Sequence, residues 1–278
     1  MKSSEAATEV VALEVRLLLD GVYQCYGYDF RDYAPASIRR RILNRVAAEK
    51  AGTVSGLQEM VLHDPLCMER LLLELTVHQT AMFRDPEFFL ALREKVLPGL
   101  RDFTHLRFWD AGCSTGEEVY SLAIVLAEEG LLERSLLYAT DLSDAVLGRA
   151  RNAVFPLKWM REFTDNYFKA GGKRAFSEYY TARDEAVVLS PSLPQRIIFA
   201  QHNLASDGSF NEFQVILCRN VMIYFNRSLQ DRVQRLLHAS LAPGGVLGLG
   251  RKESLKLTPH EEDYEIVDWQ EQLFRKVR

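Results

Sequence analysis

Hydrophobic positions in the first 75 residues recur with the period of a helix, and no strand-like alternation interrupts them. The earliest set comprises Val10, Val11, Leu13, Leu17 and Leu18. A second predicted helix runs from Ser37, as its N-cap, to about Lys50, and Gly52 stops it. A third covers Leu66–Leu75. The pattern therefore predicts a small helical N-terminal domain over residues 1–75.

Residues 76–100 are predicted to link this domain to the rest of the chain and to contribute to a ligand site. Pro86 suits the first position of a helix, because the N–H that proline lacks has no partner there. Asp85 is the predicted N-cap of that helix, which would cover Glu87–Val96 and end before Pro98.

From Leu106 onward, short apolar runs alternate with helical patterns. The predicted strands are Leu106–Asp110, Leu136–Thr140, Ile197–Ala200, Phe213–Cys218 and Gly245–Leu249, with Glu265–Val267 and Gln272–Lys276 at the C-terminal end. The predicted helices are Glu117–Glu129, Ser143–Asn152 and Leu229–Ala242. This alternation predicts a Rossmann-like α/β domain over residues 101–278, whose parallel sheet has helices on both faces.

One segment breaks this rhythm. Residues 165–194 contain two strand-like runs, Phe176–Thr181 and Ala186–Ser190, separated by four residues that suit a turn. We therefore predict a small antiparallel β insertion at about 165–194.

Composition narrows the class of protein. The 278 residues are 47% hydrophobic and 26% charged, as is typical of a soluble globular protein. A formal net charge of −4 disfavours binding of nucleic acid through bulk charge. The four cysteines form no C-x-x-C pair, which favours free thiols and gives no sign of a metal site. Acidic residues interrupt the N-terminal apolar positions, and no run approaches the roughly 18 apolar residues of a membrane span. We expect a cytoplasmic protein without direct membrane insertion.

The clearest chemistry lies in the turn after the first strand. Gly112 and Gly116 allow the backbone to approach a ligand, but the full G-x-G-x-x-G dinucleotide pattern is absent. Glu117 and Glu118 open the following helix, where they would repel a pyrophosphate. They suit a cationic ligand such as S-adenosylmethionine, which carries a sulfonium and an ammonium. Favourable placement in the helix dipole is the alternative explanation.

Asp141 follows the second predicted strand. An acidic side chain at this place can accept hydrogen bonds from both hydroxyls of a ribose. The alternative is a helix N-cap, a role that Ser143 or Asp144 could also fill. Together with the glycine turn, Asp141 favours an adenosyl cofactor.

Four segments resemble the CheR-type chemotaxis protein methyltransferases, and the similarity covers nearly the whole chain. They are TVHQTAMFRDPEFF (Thr76–Phe89), WDAGCSTGEEVYS (Trp109–Ser121), AQHNLA (Ala200–Ala205) and CRNVMIYF (Cys218–Phe225). The last is the most specific of the four. The resemblance implies a class I methyltransferase fold, S-adenosylmethionine as cofactor and S-adenosylhomocysteine as product. The implied reaction is methyl ester formation on glutamate side chains of bacterial chemoreceptors, for adaptation in chemotaxis.

The resemblance also implies residue roles. The implied cofactor-binding residues are His78, Thr80, Arg84, Glu118, Asp141, Asn203, Leu204, Arg219 and Asn220. Of these, Asn203 and Leu204 would flank the adenine. Arg84 and Tyr224 would face the reacting groups as the catalytic residues. A glutamate carboxylate is ionised at neutral pH, so the reaction needs position rather than a general base. Arg84 or Arg219 could hold that carboxylate through two parallel hydrogen bonds, and Tyr224 could orient its second oxygen.

The chain departs from the family pattern at several positions. His78 replaces an asparagine, Met82 the first phenylalanine of a pair, and Val119 the proline that follows the two glutamates. The segment from Gly250 reads GRKESL instead of G-x-S-E. These departures affect the prediction of the substrate more than the prediction of the reaction.

Two features are candidate docking sites for a protein substrate. Arg39, Arg40, Arg41 and Arg45 lie on the second predicted helix, and Arg41 and Arg45 share a face. The resemblance implies that they dock the glutamate-rich cytoplasmic helices of a chemoreceptor; a solvated basic face or nucleic acid binding are the alternatives. The β insertion corresponds to a family subdomain that, in some members, adds a receptor C-terminal peptide as an extra strand.

Other functions remain open at this point. The same enzyme class could act on a signalling protein outside chemotaxis or on a small molecule. A cofactor-sensing module without catalysis is a third possibility, although the presence of Arg84, Arg219 and Tyr224 argues against it. A dehydrogenase that uses NAD is disfavoured by the missing third glycine and by Glu117 and Glu118.

Overall fold

The computed structural model describes residues 2–76 and 80–278. The chain forms two compact units: one comprises Met1–His78 and Tyr224–Arg232, and the other comprises Gln79–Ile223 and Val233–Arg278. Tyr224–Arg232 lie within residues 101–278, which were predicted to form one domain. Their contacts instead place them in the helical unit.

The helical unit contains four helices between its N-terminus and Leu75. They are α1 (Lys2–Tyr26), α2 (Pro35–Glu49), α3 (Val54–His63) and α4 (Pro65–Leu75). Their apolar faces meet in a core that includes Leu18, Val22, Ile42, Leu57 and Leu71, each fully buried. The prediction of an all-helical N-terminal region is confirmed, but α3 was not predicted.

The predicted N-cap of α2 is wrong. The helix begins at Pro35 after Ala34, so Ser37 lies within its first turn. Proline is favoured at a first helical position because the missing N–H would have no helical partner there. The end of the helix is close to the prediction, since Lys50 adopts the left-handed conformation that closes it.

The segment Tyr224–Asn226 is fastened to the loop before α2. Ala34 N donates to Tyr224 O at 2.8 Å, and Asn226 N donates to Asp32 O at 2.8 Å. The rings of Tyr33 and Phe225 pack edge to face with their centroids 4.8 Å apart. Two backbone hydrogen bonds and an aromatic pair therefore hold this segment in the helical unit.

The second unit is built on a seven-stranded sheet with the order β6-β2-β1-β7-β8-β10-β9. Its strands are β1 (Leu106–Ala111), β2 (Ser135–Asp141), β6 (Ile197–Gln201), β7 (Phe213–Cys218), β8 (Leu241–Leu249), β9 (Tyr264–Asp268) and β10 (Leu273–Lys276). The first five are mutually parallel, and β10 pairs antiparallel with both β8 and β9. The helices of this unit are α5 (Pro86–Ala91), α6 (Glu117–Glu128), α7 (Asp144–Asn152) and α8 (Met160–Lys169). The part of α9 (Arg227–Ser240) from Val233 onward also belongs to it. The predicted Rossmann-like architecture is confirmed.

The central strands are buried because both of their faces are covered. In β7 every residue except Gln214 is buried, which matches its sequence FQVILC. In β1 only Arg107 is exposed. Since β1 and β7 are neighbours in a parallel sheet, their C-terminal ends emerge at the same edge. That edge carries the turn after β1.

The antiparallel insertion is larger than predicted. Three strands, β3 (Val154–Pro156), β4 (Tyr180–Arg183) and β5 (Ala186–Leu189), pair in the order β3-β5-β4. The predicted start at residue 165 therefore misses β3 and the first half of α8. Phe176–Tyr179 is a 3-10 turn rather than a strand, because the Glu178 carboxylate accepts a hydrogen bond from Ala175 N at 3.2 Å and closes the turn.

The link between the units enters the second unit through α5. Pro86 is the first residue of this helix, as predicted, and a π-helical stretch continues it over Leu92–Val96. Asp85 does not cap the helix, because its backbone is left-handed (φ 54°) and its side chain makes no capping hydrogen bond. In the described ranges, no helix has both the length and the apolar character needed to span a membrane.

Candidate active site

The glycine turn after β1 forms the floor of the candidate site. Gly112 and Gly116 both have positive φ, 93° and 96°. A Cβ at Gly112 would lie 2.5 Å from Val221 Cγ2, so a larger residue does not fit there. Gly112 N and Cys113 N both donate to Thr140 O, which fastens the turn to the end of β2.

Asp141 joins two turns at the carboxyl edge of the sheet. Its Oδ2 accepts from Ser114 N at 3.0 Å, and its Oδ1 accepts from Ser143 N at 3.1 Å. The cap of α7 is Ser143, whose hydroxyl accepts from Val146 N. The alternative role for Asp141 as a helix N-cap is therefore taken by its neighbour. The role of Asp141 toward a ribose remains a prediction.

Arg219 lies at the centre of the acidic groups. Its Nη1 donates to Glu118 Oε2 at 2.6 Å, and its Nη2 donates to Asp85 Oδ2 at 2.8 Å and to Arg84 O at 3.1 Å. The guanidinium packs over the ring of Phe88, 4.0 Å from its centroid. Its side chain is only 1% exposed. Both terminal nitrogens are thus committed to protein oxygens.

Asp110, the fifth residue of β1, completes the acidic cluster. Burial raises its pKa well above the usual aspartate value, and the negative charges of Glu118 and Asp141 act in the same direction. Arg219 acts in the opposite direction. Asp110 Oδ2 is buried and has no hydrogen-bond partner among the described residues. We call Asp85, Asp110, Glu118 and Asp141 the acidic cluster.

The two glutamates that open α6 have different surroundings. Glu117 points inward, where its Oε2 accepts from the Thr115 hydroxyl at 2.6 Å, and burial raises its pKa. Glu118 pairs with Arg219 at the edge of the cluster. Of the pair, Glu118 is therefore the residue that belongs to the acidic cluster.

Arg84 lies between two residues with unusual backbone conformations. Phe83 (φ 52°) and Asp85 (φ 54°) are both left-handed, which is uncommon for residues other than glycine. Phe83 is fully buried and donates its N–H to Ser121 Oγ at 2.8 Å, so the turn is anchored on α6. Such conformations persist where surrounding contacts fix them, and they cluster at functional sites. Arg84 and Thr80 are half-buried, and His78 lies outside the described residues.

The predicted adenine-flanking residues follow β6, next to β2. His202 N donates to Asp141 O at 3.1 Å, which joins this turn to the acidic cluster. Asn203 Oδ1 accepts from Ala205 N at 3.0 Å, and Leu204 is buried. Their positions are at the same sheet edge as Asp141, and their contacts with adenine remain predictions.

Tyr224 belongs to the helical unit. It is half-buried, and the guanidinium carbon of Arg41 lies 5.8 Å from the centroid of its ring. Arg41 is held in turn by Glu74 O, to which its Nη1 donates at 2.8 Å. The catalytic role of Tyr224 remains a prediction.

The four candidate docking arginines divide into two pairs. Arg39 and Arg40 are exposed. Arg41 and Arg45 turn toward α4: Arg41 binds Glu74 O, and Arg45 Nη1 donates to Arg70 O at 3.5 Å. The face that Arg41 and Arg45 share is therefore partly engaged within the unit, and any docking role falls mainly on Arg39 and Arg40.

Two site residues escaped the sequence analysis. Asp110 was predicted only to end a strand. An acidic residue just before a glycine turn could also have indicated a ligand site. Glu253 accepts hydrogen bonds from the loop that follows Arg219, through a turn 33 residues away from Asn220. Glu253 lies in the segment GRKESL, which was noted only for its departure from the family pattern, and that segment does not by itself indicate the contact with Asn220.

A separate cluster lies between the C-terminal part of α9 and the segment before β9. The side-chain ligand atoms of His238, His260 and Asp263 lie within 4.8 Å of one another. The two imidazole rings are nearly parallel, 9° apart, with centroids at 4.0 Å, so an ion between them would lie outside both ring planes. Burial lowers the pKa of His238, and the Lys276 ammonium acts in the same direction. This arrangement favours ring stacking over metal binding, and the expectation of no metal stays a prediction.

The charges at the candidate site suit a ligand with positive charge. The acidic cluster contains four carboxyl groups, and Arg219 donates to two of them, Asp85 and Glu118. The Arg251 guanidinium also interacts electrostatically with Asp85. Asp110 Oδ2 still lacks a hydrogen-bond partner in the described part of the chain. The absence of a side chain at Gly112 lets Val221 pack against the glycine turn. A sulfonium and an ammonium fit such surroundings, whereas a pyrophosphate does not. The residues present therefore fit S-adenosylmethionine.

Comparison with known proteins agrees with this geometry. The model of the CheR methyltransferase all-alpha domain matches residues 13–76, and that of the CheR methyltransferase SAM binding domain matches residues 78–272. Cher3 of Pseudomonas putida, provisionally described as a methyltransferase, is 48% identical over 99% of both chains. The chemotaxis protein methyltransferase of Listeria innocua is 30% identical over 82% of this chain and 85% of its own. Chemotaxis protein methyltransferase 1 of Pseudomonas aeruginosa is 31% identical over 76% and 74%.

Proposed function

Since the chain belongs to the CheR family of S-adenosylmethionine-dependent methyltransferases, we propose that it esterifies glutamate side chains on the cytoplasmic helices of bacterial chemoreceptors. The observation that carries this proposal is the similarity to relatives named chemotaxis protein methyltransferases, at 30% and 31% identity over most of both chains. The reaction would adjust receptor signalling in the cytoplasm.

The reaction requires the protein to position the cofactor and the substrate carboxylate and to complement their charges. When bound, S-adenosylmethionine supplies an electrophilic methyl group on its sulfonium. A substrate carboxylate can attack that methyl group directly, because a glutamate with a pKa of about 4.3 is already ionised at neutral pH. The C–S bond would break as the C–O bond forms, with S-adenosylhomocysteine as the leaving group, and the protein would not need to transfer a proton.

The protein's contribution is to hold two charged partners in line. The acidic cluster favours the cationic cofactor through its excess of carboxyl groups. For the substrate carboxylate, a guanidinium is the natural partner, since it can donate two parallel hydrogen bonds. Arg219 donates to Glu118 and Asp85. We assign the substrate carboxylate to Arg84, because the resemblance of Thr76–Phe89 to the family implies that this residue faces the reacting groups. We assign to Tyr224 a hydrogen bond that orients the second carboxylate oxygen.

Docking of the receptor is assigned to the exposed start of α2. Arg39 and Arg40 provide positive charge that would attract glutamate-rich helices. The edge of the small antiparallel sheet is the second docking element, where an extended receptor peptide would add as a strand beside β3 or β4.

A second candidate substrate has support of its own. Cher3 of Pseudomonas putida matches 99% of this chain at 48% identity, and its description names a methyltransferase without chemotaxis. A signalling protein outside chemotaxis is therefore the alternative acceptor for the same reaction.

Methyl ester formation can be measured directly. Purified protein and radiolabelled S-adenosylmethionine are incubated with receptor-bearing membranes, and volatile methanol is counted after alkali treatment. We expect alkali-labile counts from wild type and from Arg107→Ala, an exposed control on β1, but none from Arg84→Ala. Cofactor binding without any alkali-labile counts would contradict the receptor proposal and favour another acceptor.

A further inference from the structure

The loop that follows β7 is held in place by one carboxylate. Glu253 Oε2 accepts from Asn220 N at 2.8 Å and from Gly250 N at 2.7 Å. Glu253 Oε1 accepts from Val221 N at 2.9 Å and from Met222 N at 2.7 Å. The residue is only 6% exposed. Four backbone N–H groups thus converge on a buried side chain.

These contacts require the ionised form of Glu253. Each of the four partners is a donor, and only a carboxylate can accept with both oxygens and donate with neither. Burial raises the pKa of Glu253, and the four amide hydrogen bonds act in the opposite direction. Its charge is therefore stabilised by amide dipoles that three consecutive residues and Gly250 supply.

The backbone of the loop depends on this arrangement. Asn220 has a φ of 61°, a left-handed conformation that turns the N–H groups of residues 220–222 toward one side. The next residue, Val221, packs on the glycine turn: a Cβ at Gly112 would meet Val221 Cγ2 at 2.5 Å. The loop that Glu253 holds is therefore part of the wall of the cofactor turn.

Gly250 allows Glu253 to reach the loop. A Cβ at position 250 would lie 2.7 Å from Glu253 Oε2 and 2.8 Å from Asn220 N. The strands bring the two turns side by side, because β7 and β8 are parallel neighbours with Cys218 opposite Leu249. The glycine is needed for space at this point, since its backbone is not left-handed.

We propose that Glu253 is a positioning residue for cofactor binding: its carboxylate fixes the loop Arg219–Met222 against the Gly112 turn. The proposal rests on the assignment of Arg219 and Asn220 to the cofactor site. It does not depend on which carboxylate receives the methyl group. A carboxylate with only a stabilising role would affect unfolding and leave cofactor affinity unchanged.

Replacement by glutamine separates these roles. In Glu253→Gln, an amide N–H₂ must face backbone donors, so either Asn220 N and Gly250 N or Val221 N and Met222 N lose their acceptor. We expect the dissociation constant for S-adenosylhomocysteine, measured by calorimetry, to rise roughly tenfold or more. The matched control is Glu262→Gln, an exposed glutamate in the turn before β9. Circular dichroism must show both variants folded at the assay temperature.

A dissociation constant for folded Glu253→Gln within about twofold of the Glu262→Gln value would overturn the proposal. If Glu253→Gln does not fold, Gly250→Ala provides the same test, because its methyl group displaces the Glu253 carboxylate from Asn220 N. An unchanged affinity of Gly250→Ala for S-adenosylhomocysteine would also overturn the positioning role of Glu253.

Hydrogen exchange on the wild type needs no variant. The amides of Asn220, Val221 and Met222 should exchange slowly in the free protein, and more slowly still with S-adenosylhomocysteine. Fast exchange of all three that the ligand does not change would contradict the proposal. A wild type that binds S-adenosylhomocysteine but does not methylate receptors would contradict the proposed function and leave the role of Glu253 intact.

Discussion

Arg219 shows how one buried cation organises several site residues. It is 1% exposed and donates to Glu118, Asp85 and the carbonyl of Arg84. Asp85, predicted as a helix cap, serves this guanidinium instead. Because removal of one partner from a buried ion pair leaves an uncompensated charge, Arg219 should matter for folding as well as for the cofactor.

Removal of the Arg219 guanidinium should destabilise the fold strongly. For Arg219→Ala we expect the free energy of unfolding to fall by about 3–5 kcal/mol, since Glu118 and Asp85 lose their partner. Urea denaturation measures this change. Arg235→Ala, at an exposed position of α9, should stay within about 0.5 kcal/mol of wild type. A loss below about 1 kcal/mol for Arg219→Ala would contradict the described ion pairs.

The pKa of Asp110 gives the acidic cluster a pH dependence of stability. Because burial raises this pKa in the folded protein, the unfolded chain ionises first as the pH rises above the usual aspartate value. The stability that the protonated form provides is then lost as the pH rises through the folded-state pKa. Asp110→Asn removes this titration without a change in size.

The free energy of unfolding of Asp110→Asn should therefore increase relative to wild type as the pH rises from about 4 toward neutrality. Denaturation curves of both proteins at several pH values provide the comparison. Glu265→Gln, an exposed position on β9, is the control and should show no such trend. A difference between Asp110→Asn and wild type that is constant with pH would show that Asp110 does not titrate in this range.

At the residue scale, local motifs gave part of the site. The location of Glu118 and Asp141 at the carboxyl edge of the sheet could be predicted, because they follow a glycine turn and a strand, where ligands of α/β sheets bind; their contacts with the cofactor stay predictions. The contacts of Glu253 could not be predicted from the sequence, because its partners Asn220–Met222 become its neighbours only when β7 and β8 pair. Arg39 and Arg40 are exposed, whereas Arg41 and Arg45 bind carbonyl groups of α4. This difference depends on packing against α4, which the sequence pattern of α2 does not reveal.

At the scale of elements, burial on both faces was the most reliable signal. β7 has the predicted bounds, Phe213–Cys218, because a continuous apolar run leaves little choice. α3 was missed because Gly56 lies in its first turn and looks like a helix breaker. The structure explains this glycine, since a Cβ there would lie 2.3 Å from Ala51 O.

α3 offers a test of local capping. The Thr53 hydroxyl oxygen accepts from Gly56 N at 3.0 Å. Thr53→Ala leaves that N–H without its side-chain acceptor and should lower the free energy of unfolding by about 1 kcal/mol. Thr53→Ser keeps the acceptor and is the matched control. Equal stability of the alanine and serine variants in urea would contradict this cap.

At the scale of the whole molecule, substrate docking and cofactor binding are assigned to different units. Arg39 and Arg40 lie in the helical unit, and the acidic cluster lies in the α/β unit. Reversal of charge in Arg39→Glu/Arg40→Glu should raise the KM for receptor by roughly tenfold at low salt, because electrostatic attraction to glutamate-rich helices is lost. Affinity for S-adenosylhomocysteine should not change.

The salt dependence provides an internal check on docking. Higher ionic strength should raise the KM of wild type toward that of the double variant, since salt screens exposed charges. Arg235→Glu, a charge reversal at an exposed position of α9, is the control for a general effect of charge. Equal KM values for wild type and the double variant at low salt would exclude Arg39 and Arg40 as docking residues.

The central claim is that the methyl group is transferred to a glutamate carboxylate of a chemoreceptor. The most direct test is tandem mass spectrometry of a receptor cytoplasmic fragment after incubation with the enzyme and S-adenosylmethionine. The account predicts a methyl ester on specific glutamates with wild type, and unmodified glutamates with Arg84→Ala. Methylation of a nitrogen or sulfur atom, or an unmodified receptor beside an enzyme that binds its cofactor, would contradict it.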